Sequence, residues 1–286
     1  MLKASNSITF NSLLDLSLDR SFFATIKKVL KCKKSTCFLY NIWYNKHKGI
    51  GNINIIRGVK MKKFLSRKVK GVESQFLNVT KHTDDLKMDC MLSISTNKFL
   101  NANCKALYEK QGTICQHCYV DKFMKQYKDI EHCLTHNTEI LTNRILTIDE
   151  LNYFCKVFQN QQIVRFEAFG DLINETQLIN YNNIAKTCKK TKFALFTKHY
   201  NIVLRYLKSG HKLSNNIRLV LSSVYLDSEL NVMLLNVFKK YHSNTITFTV
   251  TKDKNNPSIN CGKRHCIDCR NCYDSKKPVN VIELIK

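Results

Sequence analysis

Hydrophobic and polar positions change their rhythm along the chain. Leu14, Leu18, Phe22, Ile26 and Val29 share one stripe at helical spacing and predict a helix over 11–31. The rest of the first 80 residues is irregular and basic. From Met88 onward, short apolar runs alternate with segments of helical period. Met88–Ser95 reads as a buried strand, Asn101–Tyr119 as a cysteine-bearing loop, and 121–146 and 149–158 as helices. Ile163-Val-Arg-Phe-Glu-Ala-Phe169 reads as a strand that stops at Gly170-Asp171. A helix at Gln177–Thr187, a strand at Phe193–Phe196 and a helix at His199–Lys208 follow. Then come a strand at Arg218–Val224, a helix at Glu229–Tyr241, a β-branched strand at Thr245–Val250 and a last strand at Val279–Ile285. Strands alternating with helices of about ten residues predict right-handed βαβ units and a parallel sheet. About six strands predict an α/β fold, a parallel partial (βα)6-type, TIM-like barrel, with a C-terminal cysteine-rich segment.

This pattern divides the 286 residues into three parts. Residues 1–84 form a basic, partly helical extension, 85–255 the barrel, and 256–286 a four-cysteine metal-binding segment. In a parallel barrel, reacting groups stand in the loops after the C-terminal ends of the strands. The cysteine loop, Gly170-Asp171, Thr197-Lys198, Ser222-Ser223 and Thr251-Lys252 would then line one mouth.

The candidate chemistry lies in the cysteines. Cys261, Cys266, Cys269 and Cys272 fall within twelve residues at gaps of four, two and two. Four thiolates at this spacing complete a tetrahedral zinc or an iron–sulfur cluster, and the two-residue gaps stand closer to ferredoxin spacing. Cys104, Cys115 and Cys118 form a second set. Three ligands leave one position open for substrate or cofactor, whereas four close a structural site. Cys90 or His117 as a fourth ligand would close it on zinc. Cys133, Cys155 and Cys188 read as buried small hydrophobes, and Cys32 and Cys37 as a weak pair.

Charge and composition bound the partners. There are 13 cysteines and no convincing signal peptide, which predicts a reducing, cytoplasmic location where clustered thiols hold metals. No apolar run is long enough to cross a membrane. The net charge of +24 is permissive of nucleic-acid binding. The lysines are nevertheless spread along the chain among abundant Asn and Ile, so a solvated basic surface explains them as well.

Single residues carry further expectations. Arg165 and Glu167 alternate with Phe166 and Ala168, so they would share one strand face and pair with each other or with a ligand. Gly170 permits a tight turn or close approach of a ligand. Asp171 is a candidate site carboxylate, and Lys198 could meet a carboxylate or phosphate. His199 and His265 read as surface residues.

A partial barrel with a three-cysteine loop after its first strand resembles the radical S-adenosylmethionine enzymes. The resemblance implies a [4Fe–4S] cluster on Cys104, Cys115 and Cys118, flanked by Tyr119, with S-adenosylmethionine chelated at the remaining iron. Gly170-Asp171 occupies the place of the segment that meets the methionine amino group. The family's cysteine spacing is three then two, and here it is ten then two. Lys105–Ile114 would therefore bulge out while Cys104 still reaches the cluster. A more specific resemblance is to the phage and mobile-element family named after gene product 88. It is carried by Ser93-Ile-Ser-Thr96, Asn101-Ala-Asn-Cys104, Cys115-Gln-His-Cys118-Tyr119, Arg165-Phe-Glu-Ala-Phe-Gly170-Asp171, Phe193-Ala-Leu-Phe-Thr-Lys198 and Asn260–Tyr273.

Together these imply a host-cytoplasmic iron–sulfur enzyme that makes a 5′-deoxyadenosyl radical. Cys261, Cys266, Cys269 and Cys272 would hold an auxiliary cluster, and a flavodoxin- or ferredoxin-type reductant would supply electrons. Two alternatives stand beside this reading: a zinc protein that binds nucleic acid, and a degenerate iron–sulfur protein with a redox or regulatory role.

Overall fold

A computed structural model describes residues 77–82, 87–89, 91–126, 128–262, 264–277 and 280–285. The helix expected over 11–31, together with Cys32, Cys37 and Cys90, lies outside them. The described residues fall in one compact unit.

Among the described residues, seven strands form one sheet in sequential order. β1 (Thr80–Lys81) runs antiparallel to β2 (Leu92–Ile94). β3 (Ile163–Phe166), β4 (Lys192–Thr197), β5 (Ile217–Ser222), β6 (Thr245–Thr251) and β7 (Asn280–Leu284) continue it in parallel. The six expected parallel strands are thus present. The antiparallel β1 was not anticipated, because two residues are too few to establish a period. The sheet is open, with β1 and β7 at its edges.

The helices are α1 (Ala102–Glu109), α2 (Tyr119–Gln126), α3 (Lys128–Asn143), α4 (Ile148–Phe158), α5 (Glu175–Thr187), α6 (Tyr200–Lys208), α7 (Val232–Tyr241) and the single turn α8 (Cys266–Cys269). The helix expected over 121–146 is two helices, α2 and α3. α4 opens with a reciprocal capping box, Thr147 and Glu150, and Arg144 also holds the Glu150 carboxylate at 2.6 Å.

Strand alternation sorts the core into two sides. Val164, Phe166, Phe193, Leu195, Leu219 and Leu221 face α4–α7. There Phe166 stacks between Tyr181 and Phe193, with ring centroids at 4.3 and 4.7 Å. Right-handed crossovers between sequential strands put their helices on one face. The other face, with Ile163, Ala194, Phe196, Val220, Ile246 and Val281, is therefore left to other segments. Val120 and Met124 of α2, Ile130 and Leu134 of α3, and Tyr273 of the C-terminal segment pack there. Both cysteine sets come from the segments on this second side.

Candidate functional site

Asn101 places the first cysteine. Its side-chain oxygen accepts from the backbone N–H groups of Asn103 (3.0 Å) and Cys104 (3.2 Å), capping α1. Its amide donates to the carbonyls of Asp171 (3.0 Å) and Leu172 (3.2 Å). One side chain thus starts the helix that carries Cys104 and ties it to the loop after β3. The long spacing to Cys115 is absorbed by α1 itself. Gly112, at φ 77°, turns the chain back. The Thr113 hydroxyl, fully buried, closes the turn onto the carbonyls of Leu107 (2.6 Å) and Lys110 (3.1 Å). Ile114 N–H then bonds the Val224 carbonyl at 2.9 Å, and a short 3-10 turn, Ile114–His117, carries Cys115. The expected bulge is a helical excursion that returns to its starting point.

These cysteines open onto a cleft of about 820 Å³. Cys104, Cys115 and Cys118 line it with Gly170, Asp171, Thr197, Lys198 and Ser222, so most of the expected mouth is assembled. The remaining strand ends brace neighbouring loops. Ser223 Oγ donates to the Tyr225 carbonyl at 3.3 Å, and Thr251 Oγ1 donates to Asp227 at 2.7 Å. Burial pushes the Cys104 thiol well up, Asp171 and Cys115 add to the rise, and Lys198 opposes it. Burial also raises Cys115, with Lys198 opposing and Cys118 and Asp171 adding. Cys104 and Cys115 therefore share one electrostatic environment with Asp171 and Lys198.

Asp171 is buried and acts first as a brace. Its carboxylate accepts from Thr197 Oγ1 (2.6 Å), Lys198 N–H (2.9 Å) and Leu172 N–H (2.7 Å). This pins the loop after β3 to the end of β4. Gly170 is required by close approach, because a Cβ there would stand 2.6 Å from Glu167 Oε2 and from the Thr96 carbonyl.

The expectation that Arg165 and Glu167 share a strand face is corrected. Pairing stops at Phe166, and Glu167 takes a left-handed φ of 57°. That conformation breaks the alternation and turns Glu167 into the protein. Its carboxylate accepts from Gln177 Nε2 (2.6 Å), Thr96 Oγ1 (3.1 Å), Thr96 N–H (3.2 Å) and the Tyr181 hydroxyl. Burial outweighs these donors and pushes its pKa up to about 8.

Arg165 stays on the cleft side. Its guanidinium lies 3.9 Å from the Phe196 ring centroid, and Nη1 meets Met88 Sδ at 3.7 Å. Nε is buried with no hydrogen-bond partner among the described residues. Burial alone would lower its pKa, but Tyr119, Tyr273, Cys266 and Cys272 around it hold it raised.

The second set comes in from the far side. Cys261 bridges to Glu283 of β7, and Cys266 N–H donates to the Lys87 carbonyl at 2.6 Å. α8 ends at Arg270, which takes a left-handed φ of 56° and turns the chain towards Cys272. The turn that follows is anchored near the N-terminal ends of the strands. Asp274 pairs with Lys192 at 3.8 Å, and Arg218 donates to the Lys277 carbonyl at 3.2 Å. Cys261, Cys266, Cys269 and Cys272 together line a small cavity of about 20 Å³, and three of them also line the large cleft. Burial pushes Cys261 up to about 12, with Glu283 adding and Lys87 opposing. Cys272 is raised further by burial and by the other three cysteines, while Arg165 lowers it. As placed, no group of three or more His, Cys, Asp or Glu side chains among the described residues is drawn closely enough together to hold a metal ion.

A sequence model described as gene product 88 matches residues 62–282. The chain belongs to the gene product 88 family. The match to that family spans both cysteine sets, Arg165, Gly170 and Asp171. No curated protein and no solved structure matches the chain. No helix among the described residues is long and apolar enough to cross a membrane.

Arg165 was read as pairing with Glu167 or with a ligand, and the glutamate's left-handed turn, which separates the two, leaves no trace in a residue pattern. Asn101 did carry a signal, since Asn three residues before Cys104 is a helix-cap spacing.

Proposed function

We propose that this chain is an iron–sulfur enzyme of the radical S-adenosylmethionine type. Cys104, Cys115 and Cys118 would hold the active cluster, and Cys261, Cys266, Cys269 and Cys272 an auxiliary one. The observation that carries the reading is the cleft, which exposes cysteines of both sets with the buried guanidinium of Arg165 beside the second. An unpaired buried cation is costly. Thiolates around a metal carry net negative charge and would balance it, so the donors have the right chemistry for such a group and would draw closer together to hold it. Burial that holds the metal-free thiols protonated is offset by a bound cation.

The open sheet supports the same reading. Six parallel strands in sequential order, with their crossover helices on one face, are what a partial barrel would require. The three-cysteine loop follows the first of them. When bound, a [4Fe–4S] cluster supplies a low-potential electron and, at the iron without a cysteine, a position for the amino and carboxylate groups of S-adenosylmethionine. The chain's own residues do the rest. Asn101 and Asp171 hold the cysteine loop and the ends of β3 and β4 in one register. Lys198 sets a positive charge against Cys104 and Cys115 and is placed to meet a carboxylate. Tyr119, Phe123 and Phe169, with ring centroids 5.6 to 6.5 Å apart, form an aromatic side of the cleft next to Cys118. A flavodoxin- or ferredoxin-type protein would deliver the electron.

A second reading concerns the C-terminal set alone. The four cysteines share the lining of one small cavity, and four thiolates close around a single tetrahedral ion, which favours zinc there. Metal analysis of anaerobically purified protein separates the two. Roughly eight irons per chain means two clusters, and roughly four irons with one zinc means the mixed site. Cleavage of S-adenosylmethionine by reduced protein, abolished in Cys104→Ala, tests the activity. Iron-loaded, reducible protein that never cleaves it contradicts the enzyme reading.

A further inference from the structure

The mouth of the cleft carries aromatic rings that the protein leaves in water. Phe99 is 54% exposed, Tyr108 and Tyr119 are each 48% exposed, and Tyr225 is 40% exposed. Tyr108 and Tyr119 line the cleft itself. Phe99 shares a cation with Tyr108: Lys98 Nζ lies 5.0 Å from the Phe99 centroid and 5.1 Å from that of Tyr108. Lys98 is buried and ion-paired with Asp121, so it fixes the two rings rather than offering charge to solvent. Tyr225, in the loop after β5, bridges to Thr113, with Lys110 Nζ 5.2 Å from its ring centroid. The Tyr119 hydroxyl is tied to the Ala168 carbonyl, which anchors that ring while much of it stays open.

Positive charge surrounds these rings. Residues 98–125 contain five lysines against two acids, Glu109 and Asp121, and Asp121 is already spent on Lys98. Lys105, Lys110, Lys122 and Lys125 are exposed. The chain as a whole carries +24. Anchored, half-exposed rings interleaved with solvent-facing lysines are the two components of a single-strand nucleic-acid surface. The rings stack on unpaired bases and the lysines follow the phosphates. A duplex keeps its base faces inside its own stack and cannot use the rings. An acidic peptide would use the lysines and leave the rings unexplained.

We propose that this rim binds single-stranded nucleic acid and delivers one of its nucleotides to the cysteine-lined cleft. The binding surface stands on the rim residues alone. That the strand is also the substrate class rests on the metal-enzyme reading above.

The experiment measures binding of a short fluorescent oligothymidylate, its oligouridylate counterpart and a duplex of equal length to the full metal-loaded protein. The expected result is binding of at least one single strand more tightly than the duplex. Tyr108→Ala/Tyr225→Ala should weaken it by about 5- to 150-fold for each ring that stacks. Tyr108→Phe/Tyr225→Phe should retain it, because a stacking platform needs the ring and not the hydroxyl. Iron content of the alanine variant should equal that of the parent, while Cys104→Ala should lose iron and keep the affinity. Loss of the metal reading and loss of the binding proposal are therefore separate outcomes. Equal affinity of the alanine variant and the parent overturns the proposal. So does competition by polyglutamate as effective as that by oligothymidylate.

Discussion

Arg165 shows most plainly what one side chain asks of its surroundings. A guanidinium with a buried, unpartnered Nε costs several kcal/mol unless an anion stands nearby. Metal-bound Cys266 and Cys272 would be that anion. Arg165→Met should therefore lose metal from the C-terminal set to a chelator at least about tenfold faster than the parent, and Arg165→Lys should fall between them. Equal loss rates in all three proteins would separate the guanidinium from the metal. Glu167 makes a pH prediction. Its ordinary pKa is 4.5 and its folded value about 8. Below pH 4.5 both the folded and the unfolded chain hold the proton, and between the two values only the unfolded chain releases it. Stability should fall as pH rises through that window, by about 5 kcal/mol at most, and level off above it. Denaturant midpoints across that range should show the slope in the parent and lack it in Glu167→Gln. Gly170→Ala places a methyl group against Glu167 and the Thr96 backbone. It should lower stability by about 1–3 kcal/mol and disturb the loop bearing Asp171.

Among the elements, α1 joins the sequence to the site. Asn101→Ala removes its cap, worth about 1 kcal/mol, and also removes its two bonds to the carbonyls of Asp171 and Leu172, which keep Thr96 and His199 as partners. The expected outcome is a modest fall in melting temperature with a larger loss of iron from the three-cysteine set. Loss of stability with full iron content would make Asn101 a cap and nothing more. The ends of the elements also show what the sequence could and could not reveal. Phe193-Ala-Leu-Phe196 and Thr245–Val250 were legible as strands because burial on both sides writes a continuous apolar or β-branched run. Ile163–Phe169 was drawn three residues too long, because the positive φ at Glu167 answers to a tertiary nest of donors from Thr96, Gln177 and Tyr181. β1 rests on pairing with β2 and not on any period of its own.

At the scale of the whole molecule, the fold brings together groups separated by more than 160 residues. Cys104 and Cys272 enter one environment because β2 to β7 stack in order and leave the same face uncovered by their crossovers. The cysteine spacings and the strand–helix alternation were readable in advance. The opening of both sets onto one cleft was not, since no local pattern records which segment closes the open face of a sheet. Anaerobic purification followed by iron, sulfide and zinc content and an absorbance spectrum tests the central claim most directly. The parent protein should be brown, with absorbance near 400 nm and roughly four to eight irons per chain. Cys104→Ala/Cys115→Ala/Cys118→Ala should lose roughly four of those irons and leave the C-terminal metal in place. Colourless protein holding only zinc, or iron unchanged in the triple variant, would contradict the assignment of an active cluster to Cys104, Cys115 and Cys118.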